Sequence, residues 1–455
     1  MPEPAAAGAA AASRARGRAR TATLLLAGVI ALAFNLRAAI TSLPPLFPEL
    51  SASLHLSQAA VSVLASLPVL AFGVFSGVAA PLSRRFGEEQ VLGGAVGLLA
   101  VGLILRGAAP GVLLFPGTAL AAAAIALLNV LLPSLVKRRA PERAGLLIGL
   151  YLLSLSAGSI LASLIAVPVY NLSGGSVPLS LSVWALPALA AAVAWLPQRR
   201  YRTVPRTAPG EPEGSSQGAQ ESQGTQESRR TQGRGGTQGR GGTQGRGGTQ
   251  ETRERPAGPA VPLKLSRYAL TWQVTAFMGL QSLTFYAALS WLPTMFRDRG
   301  VSAGGAGTLL ALMNLGGAAS SLMIPVLAHR ARNQRALIAG SVTASAAGLA
   351  GAWFAPLGGA PAWVLVLGLG QGAALGLAIF FTMARAPDPR VAASLSGFAQ
   401  SVGYLVATTG PLAIGFLHSA IGGWTVPVVV LLVITGLQLT AGWQAARSVT
   451  LPGAG

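Results

Sequence analysis

The chain has 455 residues, 52% of them hydrophobic and 10% charged, and its mean hydropathy is +0.56. That balance excludes a soluble globular protein of this length, and a polytopic membrane protein is expected. The absence of cysteine excludes disulfides, thiol nucleophiles and cysteine-ligated metals; three scattered histidines argue against a metal site, and no cofactor is expected.

The net charge of +20 is spread over tails and loops. Arg14, Arg16, Arg18 and Arg20 make residues 1–20 a basic tail. Basic residues recur in alternate loops at Arg84 and Arg85, Lys137 to Arg139, Arg330 to Arg335, and Arg385 and Arg390. This positive-inside pattern predicts cytoplasmic termini and a multi-pass protein of the plasma membrane. The loops between are almost free of basic residues, apart from Arg106 and the Arg297, Asp298, Arg299 cluster.

The first apolar run, Thr21 to Leu43, is too long for a cleaved signal peptide and is followed by many more. It carries Arg37, the one charge expected well inside the membrane. A helix begun at Thr21 reaches Arg37 after roughly 24 Å, past the midplane of a ~30 Å hydrocarbon layer. An arginine there costs roughly 2.5–3.5 kcal/mol and is a functional-site hypothesis. The alternative is that it snorkels outward, because Pro44 and Pro45 end the helix shortly beyond.

Twelve spans are expected, at about 21–43, 58–80, 91–108, 112–135, 144–168 and 178–197, then 268–295, 303–328, 336–356, 361–384, 393–417 and 424–445. The bundles would cover 21–198 and 268–446, with a tail at 447–455. Between them, residues 199–267 hold three tandem copies of TQGRGG from Thr231 to Gly248. Such a segment cannot build a core and is expected to be a disordered cytoplasmic tether. It has no aromatic residue to stack on bases within the repeat, so no nucleic acid partner is expected.

The halves resemble each other. Leu43-Pro44, Phe47, Ser57 and Pro81 are answered by Leu292-Pro293, Phe296, Ser302 and Pro325. Arg139-Ala140-Pro141-Glu142 is answered by Arg385-Ala386-Pro387-Asp388. Two six-span halves repeated in parallel are the layout of the major facilitator superfamily, an all-α fold of two pseudo-symmetric bundles.

Several runs carry a closer likeness: Asn35-Leu36-Arg37 with Thr41-Ser42-Leu43-Pro44, Leu67 to Gly73, Asn129 to Arg138, Trp272-Gln273-Val274, Met278 to Leu283 with Phe285-Tyr286, Trp291-Leu292-Pro293, Gly368 to Gly372, and Ser396 to Leu405. In these the chain resembles the cyanate and 2-nitroimidazole transporter family of that superfamily. The resemblance implies a central cavity lined mainly by spans one, four, seven and ten, which hold Asn35 and Arg37, Asn129, Gln281 with Tyr286, and Gln371. Gln400 and Tyr404 join from span eleven. In this reading Arg37 offers charge and a planar fork of donors to a small anion, and the amides and tyrosines complete its shell. The competing role for each amide and tyrosine is interhelical hydrogen bonding.

Where the superfamily has Asp-Arg-x-Gly followed by basic residues, this chain has Arg84-Arg85-Phe86-Gly87-Glu88-Glu89, so the usual inner charge lock is not expected in standard form. Arg84, Arg85, Arg139, Tyr151 and Arg385 are the candidate gate residues. All 13 acidic residues fall in tails, loops or span ends, so Arg37 has no expected carboxylate partner in mid-membrane, which suits an anion. Gly368, Gly370, Gly372 and Gly376 follow no strand and serve helix packing rather than nucleotide binding. No nucleophilic serine pairs with a histidine and an acid within a span, so an enzyme is not expected.

The expected function is secondary transport by alternating access of a small, cyanate-like anion or polar solute by a monomer in the bilayer. One alternative is export of nitroimidazole-like or drug-like solutes. Another is a non-transporting receptor on a transporter scaffold.

Overall fold

In hydrocarbon every backbone N–H and C=O needs an internal partner, which restricts apolar runs of this kind to helices. The computed structural model describes residues 26–139, 141–195, 264–331 and 333–452, and every regular element among them is helical. The basic tail and the TQGRGG tether lie outside the described residues.

Helix α1 covers residues 26–41. It passes through a short 3₁₀ turn, Pro44–Leu46, into α2, Phe47–Leu54. The N-terminal half continues with α3 Gln58–Phe86, α4 Glu88–Ala108, α5 Pro110–Arg139 and α6 Ala144–Leu172. The sixth span is two pieces, α7 Val177–Ser182 and α8 Ala185–Trp195. The C-terminal half is α9 Ala269–Asp298, α10 Ala303–Arg330, α11 Gln334–Phe354, α12 Ala360–Ala384, α13 Pro389–Ile421 and α14 Thr425–Ala445.

α3 outruns its expected end because Pro81 does not stop it. A proline forfeits one hydrogen bond, whereas leaving the helix inside a membrane would strand several. Before Pro44 and Pro45 the α-helix does end, at residue 41, but the apolar stretch continues through the 3₁₀ turn into α2, from Leu26 to Leu54. Arg37 lies near the middle of that stretch and about one turn from the end of α1.

Eleven stretches among the described residues are long and apolar enough to cross a membrane. The remaining expected span, α9, has 30 residues but is the polar one: Thr271, Thr275, Gln281, Ser282, Thr284 and Ser290 are all buried. Its polar groups face protein, so this helix does not need to suit lipid.

A second correction concerns Arg106, which the sequence placed in a loop. It belongs to the last turn of α4 and is 1% exposed. α4 ends at Ala108, where the third span was expected to end, so Arg106 lies inside that span and Arg37 is not the only arginine held inside the protein.

The halves meet along two seams. On one, α3 lies against α13, where Ser62 packs on Gly415, Gly73 on Leu405, and Gly77 faces Ser401. On the other, Ser163 of α6 meets Gly307 and accepts from the Asn314 amide at 3.3 Å. Farther along α6, Gly145 and Gly149 face open space. At the α2 end, Phe47 meets Trp291 with ring centres 5.9 Å apart, and Glu49 pairs with Arg297 across the halves. At the opposite end, Glu88 pairs with Arg138 and Glu89 with Arg139, both pairs within the N-terminal half.

Candidate functional site

Three side-chain bonds hold α1 against its own half. Ser154 donates to the carbonyl of Ile30 at 2.7 Å, the Asn35 amide to Pro187 at 3.0 Å, and Arg106 to Ala39 at 2.9 Å. With those faces occupied, Arg37 is the polar residue of α1 left for the space between the halves.

Its guanidinium carbon lies 5.5 Å from the centre of the Phe285 ring. Phe72 joins the group, with its ring centre 6.2 Å from that of Tyr286 and 5.6 Å from that of Tyr404. Tyr286 and Tyr404 stand 6.3 Å apart at 70°, and Phe285 meets Tyr286 edge-on at 5.2 Å. Asn129 accepts from Tyr151 at 3.0 Å. Toward α2 lies a small apolar hollow walled by Ile40, Leu43, Phe47, Leu64 and Tyr286.

Elements α1, α3, α9 and α13 therefore contribute to one cluster: a cation, two phenols and two phenyl rings. Among the described residues Arg37 makes no ion pair. A guanidinium so placed can bind a planar anion by its donor fork, while the rings offer faces and edges to a flat solute.

The other expected site residues lie elsewhere. Asn35 is 2% exposed and its amide nitrogen is bound to the carbonyls of Ala31 and Pro187, so it secures α1. Gln281 and Gln371 sit inside the C-terminal half, bonded to each other at 3.4 Å. Thr284 accepts from Gln371 at 3.2 Å and donates to the carbonyl of Gln281 at 3.0 Å. These are interhelical bonds, the competing role that their sequence positions left open. Gln400 donates to Ser396 one turn away at 2.8 Å. Trp291 donates to the carbonyl of Pro411 at 2.8 Å and stands in the α2-end closure.

Of the gate candidates, Tyr151 bonds to Asn129 of α5. Arg84 and Arg85 are exposed. Arg139 pairs with Glu89 within its own half. Arg385 ties the α12–α13 loop to the Gln334 side chain at 2.5 Å and to the carbonyl of Ala445 at 3.0 Å. Burial pushes its guanidinium below the usual arginine value. Sequence reasoning missed Phe72 and Phe285 as site residues, because an isolated phenylalanine in an apolar helix carries no signal of what it faces.

The sequence matches the Major Facilitator Superfamily model over residues 24–411. It is 33% identical over 427 residues to the uncharacterized transporter YycB of Bacillus subtilis (strain 168), covering 93% of each chain. It is 34% identical over 423 residues to the 2-nitroimidazole transporter of Escherichia coli (strain K12), covering 93% of this chain and 95% of that one. It is 26% identical over 397 residues to the cyanate transport protein CynX of the same organism, covering 87% and 90%. Among solved structures, a bacterial homolog to the human lysosomal transporter Spinster, in an inward-facing and unoccupied conformation, matches with a TM-score of 0.69 at 15% identity, covering 94% and 97%. These relatives are transporters, not enzymes. The chain is a multi-pass membrane protein that belongs to the Major Facilitator Superfamily, with the cyanate and 2-nitroimidazole transporters among its relatives.

Proposed function

We propose that this transporter carries a small planar anion, with Arg37 as the recognising charge and Phe72, Phe285, Tyr286 and Tyr404 as the walls. The observation that carries the reading is a guanidinium with no ion pair among the described residues, set against the Phe285 ring and the rings that adjoin it. Half-buried and without a carboxylate partner, it is available to an anionic substrate in transit. The rings favour a flat heterocyclic or aromatic anion over linear cyanate, since cyanate fills little of such a surface.

The arginine distribution supports cytoplasmic termini and a plasma-membrane location, with bundles at 21–198 and 268–446 acting as a monomer. In that orientation the Glu49–Arg297 pair closes the outer side, and alternating access proceeds by rocking of the two halves. Similarity to the 2-nitroimidazole transporter favours a second reading, export of a weakly acidic nitroheterocycle through the same cluster.

The test is transport into proteoliposomes of labelled cyanate, benzoate and 2-nitroimidazole, each measured in both directions, for wild type, Arg37→Ala and Arg37→Lys. Saturable movement of a ring anion, lost in the alanine variant and partly restored by lysine, is the expected result. Transport that survives both substitutions overturns Arg37 as the recognition residue. Preference for cyanate would overturn the role given to the rings.

A further inference from the structure

Arg106 is fully buried among the helices of the N-terminal half. An apolar side chain would avoid the penalty of desolvating a guanidinium, so packing alone does not account for an arginine there. Its Nη1 donates to the carbonyl of Ala39 at 2.9 Å, while Nε and Nη2 have no partner among the described residues.

That carbonyl is one which α1 leaves open. The N–H of Leu43, placed to close the last turn onto Ala39, goes instead to Ile40 at 3.3 Å. Pro44 and Pro45, next in line, have no N–H to offer. Ala39 therefore depends on the Ser42 hydroxyl at 3.4 Å and on Arg106. A cation at a helix C-terminus also meets the negative end of the helix dipole.

Ala39 follows Arg37 by two residues, which on a helix is roughly 200° of rotation, so the two point to opposite sides. One side faces the ring cluster and the other receives Arg106. Ser154 and Asn35 secure the same helix with neutral bonds; Arg106 supplies the charged one, at the turn where the backbone pattern fails.

We propose that Arg106 is a positioning residue for substrate recognition, capping the C-terminal end of α1 so that Arg37 is held against Phe285. It does not touch the substrate. This rests on the reading of Arg37 as the recognising charge, and the first arm of the test is independent of that reading.

The experiment compares full-length wild type with Arg106→Leu and Arg106→Lys in nanodiscs. The first arm is hydrogen exchange of the backbone amides in residues 38–46, with those of α9 as internal reference. Faster exchange confined to residues 38–46 in Arg106→Leu, with a smaller change in Arg106→Lys, is expected. The second arm is uptake of benzoate and 2-nitroimidazole. In Arg106→Leu KM should rise roughly ten-fold, the size of one charged hydrogen bond, with maximal velocity changed less. In an Arg37→Lys background the same substitution should add little further, because both changes act through one contact.

Unchanged exchange in residues 38–46 overturns the cap. Altered exchange with unchanged KM, or effects that multiply independently of Arg37, overturns the positioning role. If Arg106→Leu does not fold, the lysine variant carries both arms by the same criteria. If wild type moves neither probe, the reading of Arg37 fails instead, and the exchange arm still decides the cap.

Discussion

Arg297, in the last turn of α9, pairs with Glu49, in the first turn of α2, and the bond crosses from one half of the protein to the other. Both side chains are largely buried, at 26% and 14% exposed, and the Phe47–Trp291 contact adjoins them in sequence. Loss of either charge leaves the other poorly solvated, so closure at this end should weaken by roughly 1–3 kcal/mol in Glu49→Gln or Arg297→Gln. Because the chain has no cysteine, spin labels at Ala52 and Leu357 can follow it directly. A longer, broader distance distribution in each variant is expected. A distribution identical to wild type would show that the pair does not hold this end.

Phe285 faces the guanidinium carbon of Arg37 at 5.5 Å. Cation–π contacts of this kind contribute about 0.5–2 kcal/mol. Phe285→Leu should therefore weaken binding of a ring anion by roughly 2- to 30-fold while leaving the fold intact, and Phe285→Tyr should be nearly neutral. Isothermal titration in detergent reads the affinity directly.

Gly372 lies against the carbonyl of Gly317 and the Ser320 hydroxyl, where α12 crosses α10. An added methyl must displace backbone, so Gly372→Ala should destabilise by roughly 1–3 kcal/mol. Gly94→Ala, at a position with nothing within 4 Å, is the control and should leave the melting temperature unchanged or slightly raised. Thermal unfolding followed by intrinsic fluorescence compares the two.

Gln438 is wholly buried, and its amide nitrogen lacks a partner. Its oxygen stands 3.5 Å from the Thr284 hydroxyl, which has a better acceptor in the Gln281 carbonyl at 3.0 Å. One hydroxyl proton cannot serve both. Gln438→Leu is thus expected to hold or raise thermal stability, whereas Gln371→Leu, which strips partners from Gln281 and Thr284, should lower it by about 1–3 kcal/mol.

The all-helical fold of many apolar spans was legible in the sequence, because hydropathy is a local property. The destination of each polar side chain was not. Asn35 and Arg37 are two residues apart and equally conspicuous, yet one secures α1 to Pro187 and the other faces the rings. Gln281 and Tyr286 share α9 and diverge in the same way. Arg106 was counted with the loop charges although the expected span of 91–108 already contained it. Only the packing of α4 on α1 shows that it is an interior group.

The two seams between the halves behave unlike each other. Contacts between α3 and α13 are spread from Ser62–Gly415 to Gly77–Ser401, while the α6–α10 contact is described around Ser163. The rocking proposed above would take the longer α3–α13 line as its axis, and bulky substitutions at Gly73 or Gly77 would then jam the movement without touching the Arg37 cluster.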